Sequence, residues 1–377
     1  MFFLDAFLFS HYSFAFMFLR RYKTNINPLL SILLENHVRM RCLITGITGF
    51  LGPHLAKLLI HNGCAGAGAG AGSEEHQVFG LLRGTRGSEQ EIKDLLTEEE
   101  FSKITFIYGD LIHYRSMEKM CREYTFDVVF HLAAQTHPPT SFKDPIGTWE
   151  ANVMGSINLI TCLQDIQPNC HFVFCSTVEV YGNEGSDGRK IKETNTILPA
   201  NPYGASKCAI DMYICERMKN QQMKATVIRP FCFTGPRRGA RFSIASDAVQ
   251  IANMMLGRQN KILRIGNLDT VRAVTDVRDI AQAFYLVATK PAISNGKVYN
   301  VCGGDPLKMR EYTNMLVEFS GLSDVERVID EKLWRPIDIQ FQDGDSSLIQ
   351  GELGWKPVIG IRDTIKDLLD FWYNKLK

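Results

Sequence analysis

A short apolar run at 42–45 ends directly in Gly46-Ile47-Thr48-Gly49-Phe50-Leu51-Gly52, and a helical run begins inside that turn. Few folds hand a strand over to a helix through three closely spaced glycines. Glycine lets the backbone reverse at little steric cost, and lets amides at the start of a helix approach a bound anion. Such spacing also arises by chance in a chain with 30 glycines, so its place directly after the first strand gives it weight. The competing reading is a plain strand-to-helix turn.

From residue 41 onward, apolar runs at 42–45, 77–82, 104–108, 128–132, 172–175 and 225–229 alternate with helical stretches. That alternation predicts an α/β fold with a doubly wound parallel sheet of the Rossmann type. After Pro230 it weakens, and Gly, Pro and Arg mark turns before a last helical run at 361–376. The expected organisation is an N-terminal extension at 1–39, a dinucleotide-binding Rossmann domain at 40–230, and a segment at 231–377 that is mainly a smaller C-terminal α/β substrate-binding cap. The alternating Ala/Gly insert at 65–73 has nothing to bury and reads as a flexible surface loop.

The balance of 42 basic against 41 acidic side chains gives a net charge of +1, so no overall field draws the chain to nucleic acid or an anionic membrane. Ten cysteines occur without CxxC spacing or a histidine cluster, which argues against a metal site and a disulfide framework and suits a reducing, cytoplasmic setting. Residues 1–19 are rich in Phe and Leu, and Arg20, Arg21 and Lys23 follow. With Met40 directly before the first strand, this segment is read as an appendage outside the fold rather than a membrane anchor.

In a Rossmann sheet the end of the second strand selects the dinucleotide. An acidic residue there accepts the ribose hydroxyl of NAD, and a basic one accommodates the 2'-phosphate of NADP. Arg83 and Arg86 follow that strand without a carboxylate, which favours NADP and leaves NAD possible. The candidate cofactor residues are Gly46, Thr48, Gly49, Phe50, Leu51, Gly52, Arg83, Asp110, Leu111, Leu132, Ala134 and Gln135, together with Tyr203 and Lys207.

Thr177 follows the fifth apolar run, at the sheet edge where open α/β folds bind ligands. Downstream, Tyr203 and Lys207 are spaced as YGASK, one helical turn apart on the same face. A phenol with an ordinary pKa of about 10 is a poor base, and a neighbouring ammonium favours its phenolate. Thr177 can hydrogen-bond a substrate hydroxyl, Tyr203 can exchange its proton, and Lys207 can tune the phenol and hold a nicotinamide ribose.

From Met40 to its end the chain resembles the extended short-chain dehydrogenase/reductases that act on nucleotide sugars, the NAD-dependent epimerase/dehydratase family. The glycine turn, the threonine-bearing strand end and YxxxK occur in the family's order. Pro236-Arg237-Arg238-Gly239, and Gly266-Asn267-Leu268-Asp269 followed by Arg272, resemble GDP-mannose 4,6-dehydratases. Asn152, Thr275-Asp276-Val277-Arg278-Asp279 and Val298-Tyr299-Asn300-Val301 are equally similar to GDP-4-keto-6-deoxymannose reductases.

The resemblance implies a nucleotide-sugar 4,6-dehydratase acting on GDP-mannose or a related GDP-sugar. Glu179 would remove the carbon 5 proton, although the similar reductases also hold Glu there, which leaves a purely structural role open. Ser141 and Phe142 would lie at the mouth of the sugar pocket, and Arg237, Arg238, Arg272 and Arg335 would hold the diphosphate. The alternatives are a 4-keto-sugar reductase or epimerase, and a catalytically silent NADP-binding module. By resemblance the chain would form homodimers or homotetramers through helices near the site. Three positions depart from the family: Cys232 replaces a usual Asn, Ala273 replaces an Asp expected to orient Arg272, and Val178 stands where many dTDP-glucose dehydratases carry an acid.

Overall fold

Each of the six apolar runs forms a strand, with ends shifted by a residue at most: β1 (Arg41–Thr45), β2 (Gln77–Leu82), β3 (Ile104–Tyr108), β4 (Val128–His131), β5 (His171–Cys175) and β6 (Ala225–Pro230). The structure, a computed structural model, describes residues 39–62, 76–84, 89–334 and 337–377. The first 38 residues, the insert at 65–73, Arg86 and Arg335 lie outside the described residues. Later strands are β7 (Cys232–Thr234), β8 (Ile262–Ile265), β9 (Val271–Asp276), β10 (Val298–Val301), β11 (Pro306–Lys308), β12 (Glu326–Ile329) and β13 (Phe341–Gln342).

The large sheet has seven strands in the order β10-β6-β5-β4-β1-β2-β3, all parallel. The order reverses between β1 and β4, which opens the crevice where such sheets bind ligands. The longer helices are α1 (Leu51–Asn62), α2 (Tyr114–Glu123), α3 (Gly155–Ile166), α4 (Pro202–Asn220), α5 (Ser243–Met255), α6 (Val277–Thr289), α7 (Met309–Ser320) and α8 (Ile361–Leu376). Strand side chains alternate between faces. Ile44, Phe130 and Val173 pack with Leu55 of α1 and Phe284 of α6, whereas Leu43, Val129 and Phe174 pack with Ile160 of α3 and Ile210 of α4. Burial on both faces explains why these strands read as continuous apolar runs.

The seventh strand is not among the six runs, and it arrives from beyond residue 230. β10 pairs with β6, and α6 packs on α1, so the stretch from 277 to 301 completes the nucleotide-binding sheet instead of the cap. The rest of the later chain builds a four-stranded sheet, β11-β9-β13 with β7 on β9, and a β12-β8 pair. Ala248 of α5, Leu316 of α7 and Leu368 of α8 share its core. No helix among the described residues is long and apolar enough to cross a membrane.

Candidate active site

Between β1 and α1 the chain turns at Gly46, whose φ is +71°, and Gly49 N donates to Gly46 O at 2.9 Å. A Cβ on Gly46 would lie 2.8 Å from the Ala133 backbone, and one on Gly52 would lie 2.6 Å from Ile47 Cα. Only glycine fits both places, so the turn presses against the Ala133 backbone just past β4 and leads directly into the N-terminus of α1. These residues fit a dinucleotide pyrophosphate. Arg83 is exposed just past β2, and Asp110 follows β3 with Oδ1 accepting from Ile112 N. Leu111 is buried, whereas Leu132, Ala134 and Gln135 are half-buried at the end of β4.

Beneath this edge runs a buried polar network. Burial first, and the Lys207 charge second, lower the His131 pKa to about 3, so the imidazole is neutral. Its Nε2 donates to Ser156 Oγ and its Nδ1 accepts from Thr45 Oγ1, both at 2.8 Å. Asn152 lies in a π-turn, Glu150–Met154, of the kind that accompanies functional sites. Its amide donates to Gln135 O at 3.0 Å and Ser206 Oγ at 2.9 Å, while Oδ1 accepts from Gln135 N at 2.7 Å. Ser206 Oγ donates in turn to Tyr203 O at 2.7 Å. Asn152 thus ties the end of β4 to the first turn of α4, a positioning role that its sequence neighbours do not signal.

Thr177, Glu179, Tyr203 and Lys207 are all buried. Thr177 caps a short 3-10 turn, with Oγ1 accepting from Glu179 N at 3.3 Å. Glu179 Oε2 accepts from Asn201 Nδ2 at 2.7 Å. Burial raises the Tyr203 pKa above its ordinary value; Thr177, through a side-chain hydrogen bond, and the Arg238 charge oppose that rise, and Glu179 adds to it. Thr177 therefore hydrogen-bonds the phenol, and Glu179 lies near enough for its charge to act on it.

Lys207 behaves differently from the expectation based on spacing. Its Nζ lies 4.0 Å from the Phe174 ring centroid, and burial lowers its pKa to about 8 against the opposing pull of Cys175 and Asp211. The Arg238 charge lowers the phenol pKa, by less than burial, Cys175 and Glu179 raise it. Ser141 also departs from its expected place at the pocket mouth. It is fully buried, its hydroxyl donates to Pro138 O at 2.7 Å and accepts from Tyr203 N at 3.0 Å, and it thereby holds the start of α4. Phe142 beside it is half-buried.

The arginines divide into two groups. Arg237 Nη1 donates to Gly49 O at 3.0 Å and Nη2 donates to Glu91 O, which fastens the cap to the glycine turn. The Arg238 guanidinium lies 4.8, 5.4 and 3.5 Å from the ring centroids of Phe50, Phe233 and Phe242. Both therefore stand on the glycine-turn side. Arg272 sits in β9, where Nη1 and Nη2 donate to Val271 O at 2.8 Å and Ile339 O at 2.5 Å. Asp338 lies 3.7 Å from Arg272 Nη2, so a carboxylate from another segment supplies the charge that Ala273 lacks. At the other departure, the Cys232 thiol donates to Gln342 Oε1 at 3.6 Å. A cavity of about 220 Å³ beside Lys190, Cys302, Gly303, Asp343 and Ser346 is lined by none of Thr177, Glu179, Tyr203 and Lys207.

A sequence profile described as GDP-mannose 4,6 dehydratase matches residues 43–368. The chain belongs to that family. It is 32% identical over 251 residues to a GDP-6-deoxy-D-mannose reductase of Pseudomonas aeruginosa, covering 67% of this chain and 82% of the reductase. It is 25% identical over 341 residues to GDP-mannose 4,6 dehydratase 1 of Arabidopsis thaliana, covering 88% and 89% of the two chains. The structure of RMD from Pseudomonas aeruginosa complexed with NADPH superposes with a TM-score of 0.72 at 29% identity, covering 89% of this chain and 99% of that one. Members of the GDP-mannose dehydratase family are enzymes of the short-chain dehydrogenase/reductase type, and the parallel seven-stranded sheet described above is their fold.

Proposed function

We propose that the protein is an NADP-dependent 4,6-dehydratase that converts GDP-mannose, or a related GDP-sugar, to the 4-keto-6-deoxy sugar. The observation that carries this reading is the buried Glu179 carboxylate, whose backbone N–H donates to Thr177 Oγ1 and whose charge acts on the Tyr203 phenol. A 4-epimerase needs no such acid, whereas loss of a carbon 5 proton requires a base.

The turn from Gly46 to Gly52 would hold the pyrophosphate of NADP, Arg83 its 2'-phosphate, and Tyr203 and Lys207 its nicotinamide end. When bound, the nucleotide takes up the hydride from sugar carbon 4 and gives it back to carbon 6. Tyr203 accepts the proton of the carbon 4 hydroxyl while Thr177 hydrogen-bonds that oxygen. The ketone acidifies carbon 5, and Glu179 takes the proton there. Hydroxide then leaves carbon 6 as water. Val178 offers no proton for this step, so the proton comes from Glu179 or Tyr203, each of which has just gained one, and the proton that remains returns to carbon 5 as the hydride reaches carbon 6. Arg272 and the arginine of the segment 334–336 are the candidates for the substrate diphosphate, and Arg237 and Arg238 serve it from the glycine-turn side.

A second reading, a reductase of the 4-keto sugar, is favoured by the 32% identity to the Pseudomonas reductase and leaves Glu179 a bystander. GDP-mannose with trace NADP separates the two. A dehydratase accumulates keto sugar without net nucleotide reduction, whereas a reductase makes none and consumes NADPH only when given the keto sugar. Ile146, Trp149 and Met154 expose an apolar patch next to the catalytic helices, which supports a homodimer.

A further inference from the structure

Asn201 uses both ends of one amide. Its Oδ1 caps α4 by accepting from Gly204 N at 2.8 Å, and its Nδ2 donates to Glu179 Oε2 at 2.7 Å. Pro202 opens the helix and Tyr203 follows. A planar amide cannot stretch, so the distance from the acid to the first turn of the Tyr203 helix is fixed. The backbones also touch there, because a Cβ on Gly204 would lie 2.7 Å from Glu179 O.

Capping alone does not call for asparagine. Ser and Asp cap about as well, but neither combines a cap oxygen with an amide donor facing the other way. The hydrogen bond engages Oε2, so a carbon 5 proton can be taken by Oε1 without breaking it. A base aimed in this way gains from orientation, since a misplacement of about 1 Å can cost on the order of 100-fold in rate.

We propose that Asn201 is a positioning residue for proton abstraction at sugar carbon 5, aiming the Glu179 carboxylate from the start of the helix that carries Tyr203. The inference rests on the dehydratase reading above. It goes beyond the catalytic set by adding a residue that acts through Glu179.

The test uses Asn201→Asp and Asn201→Ser in the full chain. Both keep a cap oxygen, so NADP affinity stays near wild type; Asn201→Ser also keeps its melting temperature, whereas Asn201→Asp melts lower because two carboxylates then face each other. Aspartate sets a carboxylate against Glu179, and serine is too short to reach it. Expected with GDP-mannose are a kcat lowered on the order of 100-fold, an unchanged KM, and loss of solvent-deuterium entry at carbon 5. Reduced-nicotinamide absorbance should still rise, because oxidation at carbon 4 does not need Glu179. Wild-type kcat and deuterium entry in both variants would overturn the inference and leave the dehydratase reading intact. So would a kcat loss that merely tracks lost stability or lost nucleotide binding. A wild-type protein that makes no keto sugar from GDP-mannose would overturn both.

Discussion

Tyr203 shows how spacing and burial can disagree. Two residues four apart share a helix face, so Lys207 follows Tyr203 on α4, but its ammonium lies over the Phe174 ring and burial lowers its pKa to about 8. With burial raising the phenol pKa and Arg238 opposing it, Arg238→Ala should push that pKa higher still. The rising limb of the kcat profile then moves to higher pH, and activity near neutrality falls about tenfold for each pK unit. A pH series on the variant reads this directly, and an unmoved limb would remove Arg238 from the catalytic electrostatics. Thr177 and Tyr203 stand out by residue type and order, and Glu179 by the family resemblance; the burial of all three is what the structure adds. The second ends of Asn201, Ser141 and Arg237 were not legible in the sequence, because their partners lie 22, 62 and 188 residues away in the chain.

Among the elements, α4 and β6 are joined by a buried ion pair. Arg229 donates to Asp211 at 2.7 and 2.9 Å, Ser176 Oγ donates to Asp211 Oδ2 at 2.6 Å, and Arg229 Nη1 donates to Tyr181 OH at 2.8 Å. Removing one partner strands the other charge, so Arg229→Met should cost about 3–5 kcal/mol in urea unfolding. In the cap, Asp247 of α5 accepts from Thr313 Oγ1 of α7 at 2.7 Å, and burial raises its pKa from 3.8 to about 7. Between those two values the folded chain keeps a proton that the unfolded chain has lost, so stability falls as pH rises through that window. Asp247→Asn, which keeps the acceptor, should therefore gain roughly 1–3 kcal/mol well above neutrality and little in acid. Equal gains at both pH values would contradict the shift. Doubly buried parallel strands announce themselves as apolar runs, and β1 to β6 were read on that basis. β10 escaped because its four residues follow a region where the alternation has already weakened.

At the level of the assembled enzyme, the later segment both completes the large sheet and forms the cap, and no cut at residue 230 separates the two. Sequence patterning reports local burial and cannot report which sheet a late strand joins. The exposed patch at Ile146, Trp149 and Met154 predicts a homodimer by light scattering, and Trp149→Glu should shift it to monomer while the fold persists. The account as a whole turns on hydride leaving and returning within one cleft that also removes a carbon 5 proton. GDP-mannose deuterated at carbon 4, incubated in ordinary water with catalytic NADP, tests this by NMR of the product. The predicted product is a 4-keto-6-deoxy sugar with the label on carbon 6 and no net reduction of nucleotide, and Glu179→Gln should abolish it. Keto sugar formed at the wild-type rate by Glu179→Gln, or no keto sugar from the native protein, would contradict the account.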